Sequence, residues 1–191
     1  MKTAAIQILK NEHLAIAAVL YALHWLARGM RKGEAPNFPV LRAILDYIVS
    51  YPDRWHHPKE DTHLFTAIRS RTHEADALIA RLEREHRLGH PMVEDLKREL
   101  IALQNGEDGA LEAFCSCAIR YAELEWRHLR TEEDQLLPIA ERVLQPEDWR
   151  AIHEAFQEND NPLFGIKPKD EADALYQRIL ALAPSPIGPP A

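Results

Sequence analysis

Apolar residues recur at steps of three and four along almost the whole chain. Ile6, Leu9, Ile16, Val19, Leu20, Leu23 and Leu26 trace one such stripe, the spacing that lines one face of an α-helix. No segment alternates apolar and polar residues as a half-buried strand does, so the expected fold class is all-α. Four long helices follow from the pattern and its punctuation. The first covers about 3–32 and stops at Gly33, and the second covers about 38–71, opened by Asn37 and Pro39. The third runs over about 73–104 to "QNGEDG", and the fourth from an Asp108 cap to about 144. Pro52 and Pro58 predict a kink, or a break and restart, near Ser50 to Asp53, and Pro91 threatens the third helix in the same way. A shorter helix at about 146–158, a turn at "NDNPLFG", a last helix at about 169–182 and a frayed Pro-rich tail "APSPIGPPA" complete the expectation. Short connections favour antiparallel neighbours, hence an up-down-up-down four-helix bundle over residues 1–145. Residues 146–191 then form a C-terminal helical extension and tail, packed on the bundle or offering a partner surface, with a homodimer left open.

Composition narrows what such a bundle does. A chain of 191 residues with 46% hydrophobic and 28% charged content is an ordinary globular protein, long enough for one domain with a sizeable core. The net charge of -7, with no Lys/Arg stripe to offset it, excludes nucleic acid as an expected partner. No apolar run reaches eighteen residues, and Lys10, Asn11, Glu12 and His13 interrupt the first candidate for a signal, so neither export nor membrane insertion is expected and the location reads as cytoplasmic. Cys115 and Cys117 are too few for a disulfide framework, and their spacing turns them about 200° apart on a helix. They read as buried thiols.

Histidine changes the picture. "WHHPKEDTHLF" carries His56 and Glu60 four residues apart, and "HLRTEE" repeats the spacing with His128 and Glu132. A step of four turns a side chain only about 40° and lifts it about 6 Å, so each pair points one way at two adjacent heights. Counting from the turns, His13 lies about 19 residues before the end of the first helix and His56 about 18 after the start of the second, each about 28 Å from the first turn. The same count brings His86 level with Glu60 across the second turn and with His128 across the third. Four helices thus deliver His13, His56 with Glu60, His86, and His128 with Glu132 to one layer. Two metal ions need that geometry, one carboxylate from each pair bridging them, and imidazole with carboxylate and no thiolate suits iron or another first-row divalent metal.

Other residues read differently. His24, His63, His73 and His153 lack partners at ligand spacing. His57 is turned about 100° from His56, which places it behind the ligands or on the surface. His90 shares a face with His86 and stays open as a further ligand. Trp55 and Trp126 either wall the site or, the favoured reading, fill the core, and Tyr121 and Glu125 are candidate donors behind His128. A rival donor set is the ferritin-like one, with Glu83 and His86, Glu125 and His128, Glu12 and Glu60. It would suit an oxidase or ferroxidase, but it leaves His13, His56 and Glu132 unused.

"NEHLAIAAVLYAL", "YPDRWHHPKEDTHLF", "LEREHRLGH" and "HLRTEEDQLLPIAERVL" together resemble the four helices of hemerythrin-like proteins, in particular the bacterial HHE cation-binding branch. The resemblance covers residues 3–145, and "EDWRAIHEAFQENDNPLFG" looks like the extension of some bacterial members. It implies a non-haem di-iron centre ligated by His13, His56, Glu60, His86, His128 and Glu132, with Glu60 and Glu132 bridging and the two irons joined by an oxo or hydroxo bridge. Oxygen-carrying hemerythrins have a second His on the third helix and a ligating Asp after the last His. Here His90 is the counterpart of the former, and Glu132, at a different spacing, stands in place of the latter. These departures count against reversible oxygen carriage.

The expected function is therefore a di-iron protein that binds or senses O₂ or a related small oxidant such as NO or peroxide. The alternative is an enzyme, either ferritin-like and oxidising or scavenging peroxide or NO. Because imidazoles must be neutral to bind metal, metal retention is expected to fall as pH drops through about 6 to 5.

Overall fold

In the computed structural model, residues 1–157 are described, and among them every regular element is helical. The expected turn at "NDNPLFG", the last helix and the tail lie outside the described residues. Helix α1 spans Lys2–Arg31 and α2 spans Phe38–Ser50. The Asn37 side chain caps α2 by accepting from the Val40 N–H at 3.4 Å, with proline in its first turn where no N–H is needed. The chain from 52 to 71 stays helical but irregular: a π segment Pro52–His56, a single α turn α3 (His57–Lys59), a second π segment Glu60–Phe65, and α4 (Thr66–Arg71). Then come α5 (Asp76–Asn105), α6 (Ala110–Thr131), a third π segment Glu132–Leu136, α7 (Leu137–Val143) and α8 (Pro146–Gln157).

Prolines account for the irregular turns. Pro52 opens the first π segment, Pro58 lies between the first and the second, and Pro138 sits two residues beyond the third. Each lacks an N–H and crowds the carbonyl four residues back, so the backbone widens to bonds five residues apart: His57 donates to the Pro52 carbonyl and Leu137 to that of Glu132. The expected break near Ser50 to Asp53 is present at Tyr51, with φ -118° and ψ -72°. Pro91, by contrast, does not interrupt α5, which is continuous. Pro91 and Arg87, whose carbonyl it leaves without a donor, are both exposed, so water can replace the lost bond.

One cap differs, and the end of α5 in "QNGEDG" is as expected. Gly109 (φ +77°), not Asp108, precedes α6, and it offers no side-chain cap. Gly106 (φ +71°) ends α5 in the left-handed region, its N–H turned back on the Ala102 and Leu103 carbonyls as glycine permits.

The long segments pack as an antiparallel four-helix bundle in which α6 lies between α1 and α5, and α2 with its continuation closes the square. Its core comes in two parts. One holds Leu23, Ile44, Tyr47, Leu96 and Phe114 among others. The other holds Leu9, Phe65, Leu82 and Leu136, together with Trp149, Ile152 and Phe156 of α8, which packs on α1. Between the two, each helix changes from apolar to ionisable for about one turn: Glu12 and His13, then His56, His57 and Glu60, then Glu85 and His86, then Glu125, His128 and Glu132. This polar layer is the only interruption of the apolar stripes that the helices share among the described residues, and burying it requires compensation.

Candidate metal centre

Five imidazoles and two carboxylates converge in that layer as two overlapping groups. His13, His56, Glu60 and Glu132 form one, and His57, Glu60, His86 and His128 the other. Glu60 belongs to both by dividing its oxygens: Oε1 lies 3.5 Å from His13 Nε2 and 3.3 Å from His56 Nε2, and Oε2 lies 3.6 Å from His86 Nε2. Glu132 does the same, with Oε2 3.4 Å from His13 Nε2 and Oε1 3.4 Å from His128 Nε2. All six residues singled out in the sequence are therefore brought to one level.

Behind each ring stands a carboxylate facing Nδ1. His13 faces Glu133 at 2.9 Å, His56 faces Glu12 at 2.7 Å, His86 faces Asp61 at 2.9 Å and His128 faces Glu85 at 3.1 Å. His57 Nδ1 is 3.9 Å from Asp53, beyond hydrogen-bond reach. An ionised carboxylate only accepts, so each hydrogen-bonded Nδ1 carries the proton and each Nε2 turns a lone pair inward. The nitrogens His86 Nε2 and His128 Nε2 are 2.9 Å apart, and two lone pairs at that distance repel unless a cation lies between them. Two nitrogens about 2.1 Å from one ion and at right angles stand about 3.0 Å apart. His56 Nε2, His57 Nε2, Glu60 Oε2 and both oxygens of Glu132 are buried without a hydrogen-bond partner in the protein, which is the signature of atoms that serve as ligands. The residues present thus fit a pair of cations.

Without metal, protons take that part. Burial alone would depress His13, but Glu133, Glu60 and Glu132 around it raise its pKa to about 10. His56 and His128 are raised against the same burial by Glu60 and Glu12 and by Glu132 and Glu85, respectively. His57 is driven well below its usual value, by burial and then by the neighbouring imidazoles, and is ready to bind as a neutral ring. Burial opposes ionisation of Glu132, but His128, His13 and His86 bring its pKa down to about 2. Glu125 goes the other way, raised to about 7 chiefly by burial, its Oε2 3.8 Å from His57 Nε2. Asp53 is lifted to about 6 by burial.

His57 is the residue that sequence reasoning missed. It lies inside the layer, its ring stacked on that of His86 with centroids 4.3 Å apart, and not behind the ligands or at the surface. A regular helix would turn it away from His56. The π segments on either side let adjacent residues serve the two groups, a use of wide turns that recurs at functional sites, and the prolines at 52 and 58 were the available signal. His90 is exposed and joins neither group. Nor is the ferritin-like donor set assembled: the Glu83 carboxylate pairs with Arg69, and Glu12 is engaged with His56 Nδ1. Trp55 is 42% exposed, under Arg54 and Lys59, so it does not fill the core. Trp126 packs partly against the core and donates to the Ala17 carbonyl at 3.4 Å. Tyr121 is buried in the core.

Two cavities reach the layer from opposite sides. One, of about 470 Å³, is lined by His13, by Leu14, Ala17, Trp126 and Leu129, and by Arg130, Glu133 and Asp134. The other, of about 260 Å³, touches His57 and His86 and is lined by Asp53, Pro58, Asp61, Arg87 and His90. No helix among the described residues is long and apolar enough to cross a membrane.

Compared with known proteins, residues 4–140 match the family model of the hemerythrin HHE cation-binding domain. No curated protein and no solved structure gives a match.

Proposed function

Because this chain belongs to the hemerythrin HHE cation-binding domain family, we propose that its polar layer holds two iron ions and binds or senses a small oxidant, O₂, NO or peroxide. The observation that carries this reading is the division of Glu60 and Glu132, one oxygen of each toward each group of histidines. A single ion would need neither carboxylate to face both ways. The all-nitrogen-and-oxygen donor set suits iron. Iron held there would supply a coordination position for the oxidant and electrons to share with it.

The two halves are unequally furnished. His13 and His56 provide two nitrogens on one side, and His57, His86 and His128 three on the other, with both carboxylates common. The less crowded half faces the larger cavity. Leu14, Ala17, Trp126 and Leu129 there give a small neutral molecule an apolar surface to lie against, while Glu12, Glu133, Asp61 and Glu85 fix the rings and preserve their tautomers.

Turnover is a second reading, favoured by Glu125. A buried carboxyl with a pKa of about 7 next to His57 can give or take a proton at neutral pH. The two readings separate on protein loaded anaerobically with ferrous iron and then given oxidant with excess reductant. Binding predicts a stable absorbance change and consumption of about one oxidant per centre. Continued consumption, abolished by Glu125→Gln, would replace it with turnover.

A further inference from the structure

Two ladders of carboxylate and imidazole side chains line the smaller cavity. Asp53, His57 and Asp61 stand at steps of four on the segment 52–65, and His86 and His90 stand at a step of four on α5. The inner members, His57 and His86, belong to the buried group with His128 and Glu60. The outer member, His90, is exposed. His57 is only 5% exposed, and its Nε2 has no hydrogen-bond partner in the protein, so the cavity ends on a buried, unsatisfied donor. The opposite cavity reaches the layer at His13 and mixes Leu14, Ala17, Trp126 and Leu129 with Arg130, Glu133 and Asp134. It offers one imidazole where the smaller cavity offers three.

We infer that the cavity lined by Asp53, Asp61 and His90 is the loading port through which a divalent cation reaches the centre, His90 receiving it at the mouth and His57 and His86 taking it inward. This rests on the reading of the layer as a metal centre. A hydrated divalent ion sheds water stepwise, and it crosses a protein surface fastest where successive oxygen and nitrogen donors replace that water. Asp53 and Asp61 add negative potential in a recess with low-dielectric walls, which concentrates cations there. Arg87, at the same mouth, opposes them, and its exposed side chain makes the local charge adjustable. The port also gives His90 a role that the buried groups leave unfilled.

A port alters speed without altering the destination, and this distinguishes it from a ligand shell. His90 and Arg87 touch neither metal-binding group, so charge can be changed at the mouth with the centre intact. The experiment is stopped-flow uptake of Co(II), the metal alone, by the metal-free full chain, paired with its release to a chelator. The proteins are wild type, His90→Lys, Arg87→Gln, and Asp134→Asn in the opposite cavity. His90→Lys is expected to slow uptake and release alike by about fivefold or more, and Arg87→Gln to speed both, each with unchanged Co(II) per chain and affinity. Asp134→Asn should leave both rates as they are. Unaltered rates in the mouth variants, or a rate change matched by a change in affinity, would overturn the port. If wild type binds no Co(II) at all, the metal-centre reading itself fails, which is a separate result.

Discussion

At the scale of single residues, the centre is a competition between protons and metal for the same lone pairs. His13 holds a proton up to about pH 10 because Glu133, Glu60 and Glu132 outweigh its burial, and His128 is raised as well. A group whose folded pKa lies above its unfolded value stabilises the fold fully below the unfolded value and loses that contribution as pH rises through the folded one. The metal-free protein is therefore expected to become less stable between about pH 6.5 and pH 10, as His13 loses its proton among three carboxylates. Metal affinity should move oppositely, rising over the same interval, because bound metal requires the neutral ring. Thermal unfolding of both forms from pH 6 to 10 checks this, and parallel curves would contradict it. Proton competition is therefore expected to begin above the interval of about 6 to 5 that free imidazoles imply, since free rings lack the three carboxylates around His13.

Elements explain why these residues meet. The apolar stripes and their Gly and Pro punctuation made the four-helix bundle legible, and counting residues from each turn brought His13, His56, Glu60, His86, His128 and Glu132 to one height. What the count could not show was rotation about the helix axis. His57 is in the layer because wide π turns flank it, and a wide turn depends on which carbonyl a proline ring displaces and on whether neighbouring helices accept the bulge. Wide turns flank both the buried Pro52 and the exposed Pro58, whereas α5 continues through Pro91, which is also exposed. Trp55 was misread for a related reason, since adjacency to His56 in sequence says little about side when the helix is irregular. α8 contributes beyond the matched residues 4–140. Its Trp149 and Phe156 are buried in the core beneath the layer, and the Phe156 ring lies edge-on to His56, centroids 6.3 Å apart. Trp149→Ala is expected to cost about 3–5 kcal/mol of stability in denaturant unfolding of the metal-free protein. A cost below about 1 kcal/mol would mean that α8 is not part of the cooperative unit.

For the molecule as a whole, the two-part core and the polar layer form one design. Apolar packing above and below fixes four helices rigidly enough to hold buried carboxylates and imidazoles in place, and metal then supplies the positive charge that protons otherwise provide. The two cavities, one reaching His13 and the other His57 and His86, give separate approaches to the two groups. The most direct test is the iron content per chain after anaerobic loading and removal of loose metal, measured on wild type and on His57→Ala. About two irons in wild type and about one in His57→Ala are expected, since that ring serves only one half. One iron or none in wild type, or an unchanged two in the variant, would contradict a centre divided between the two groups as described.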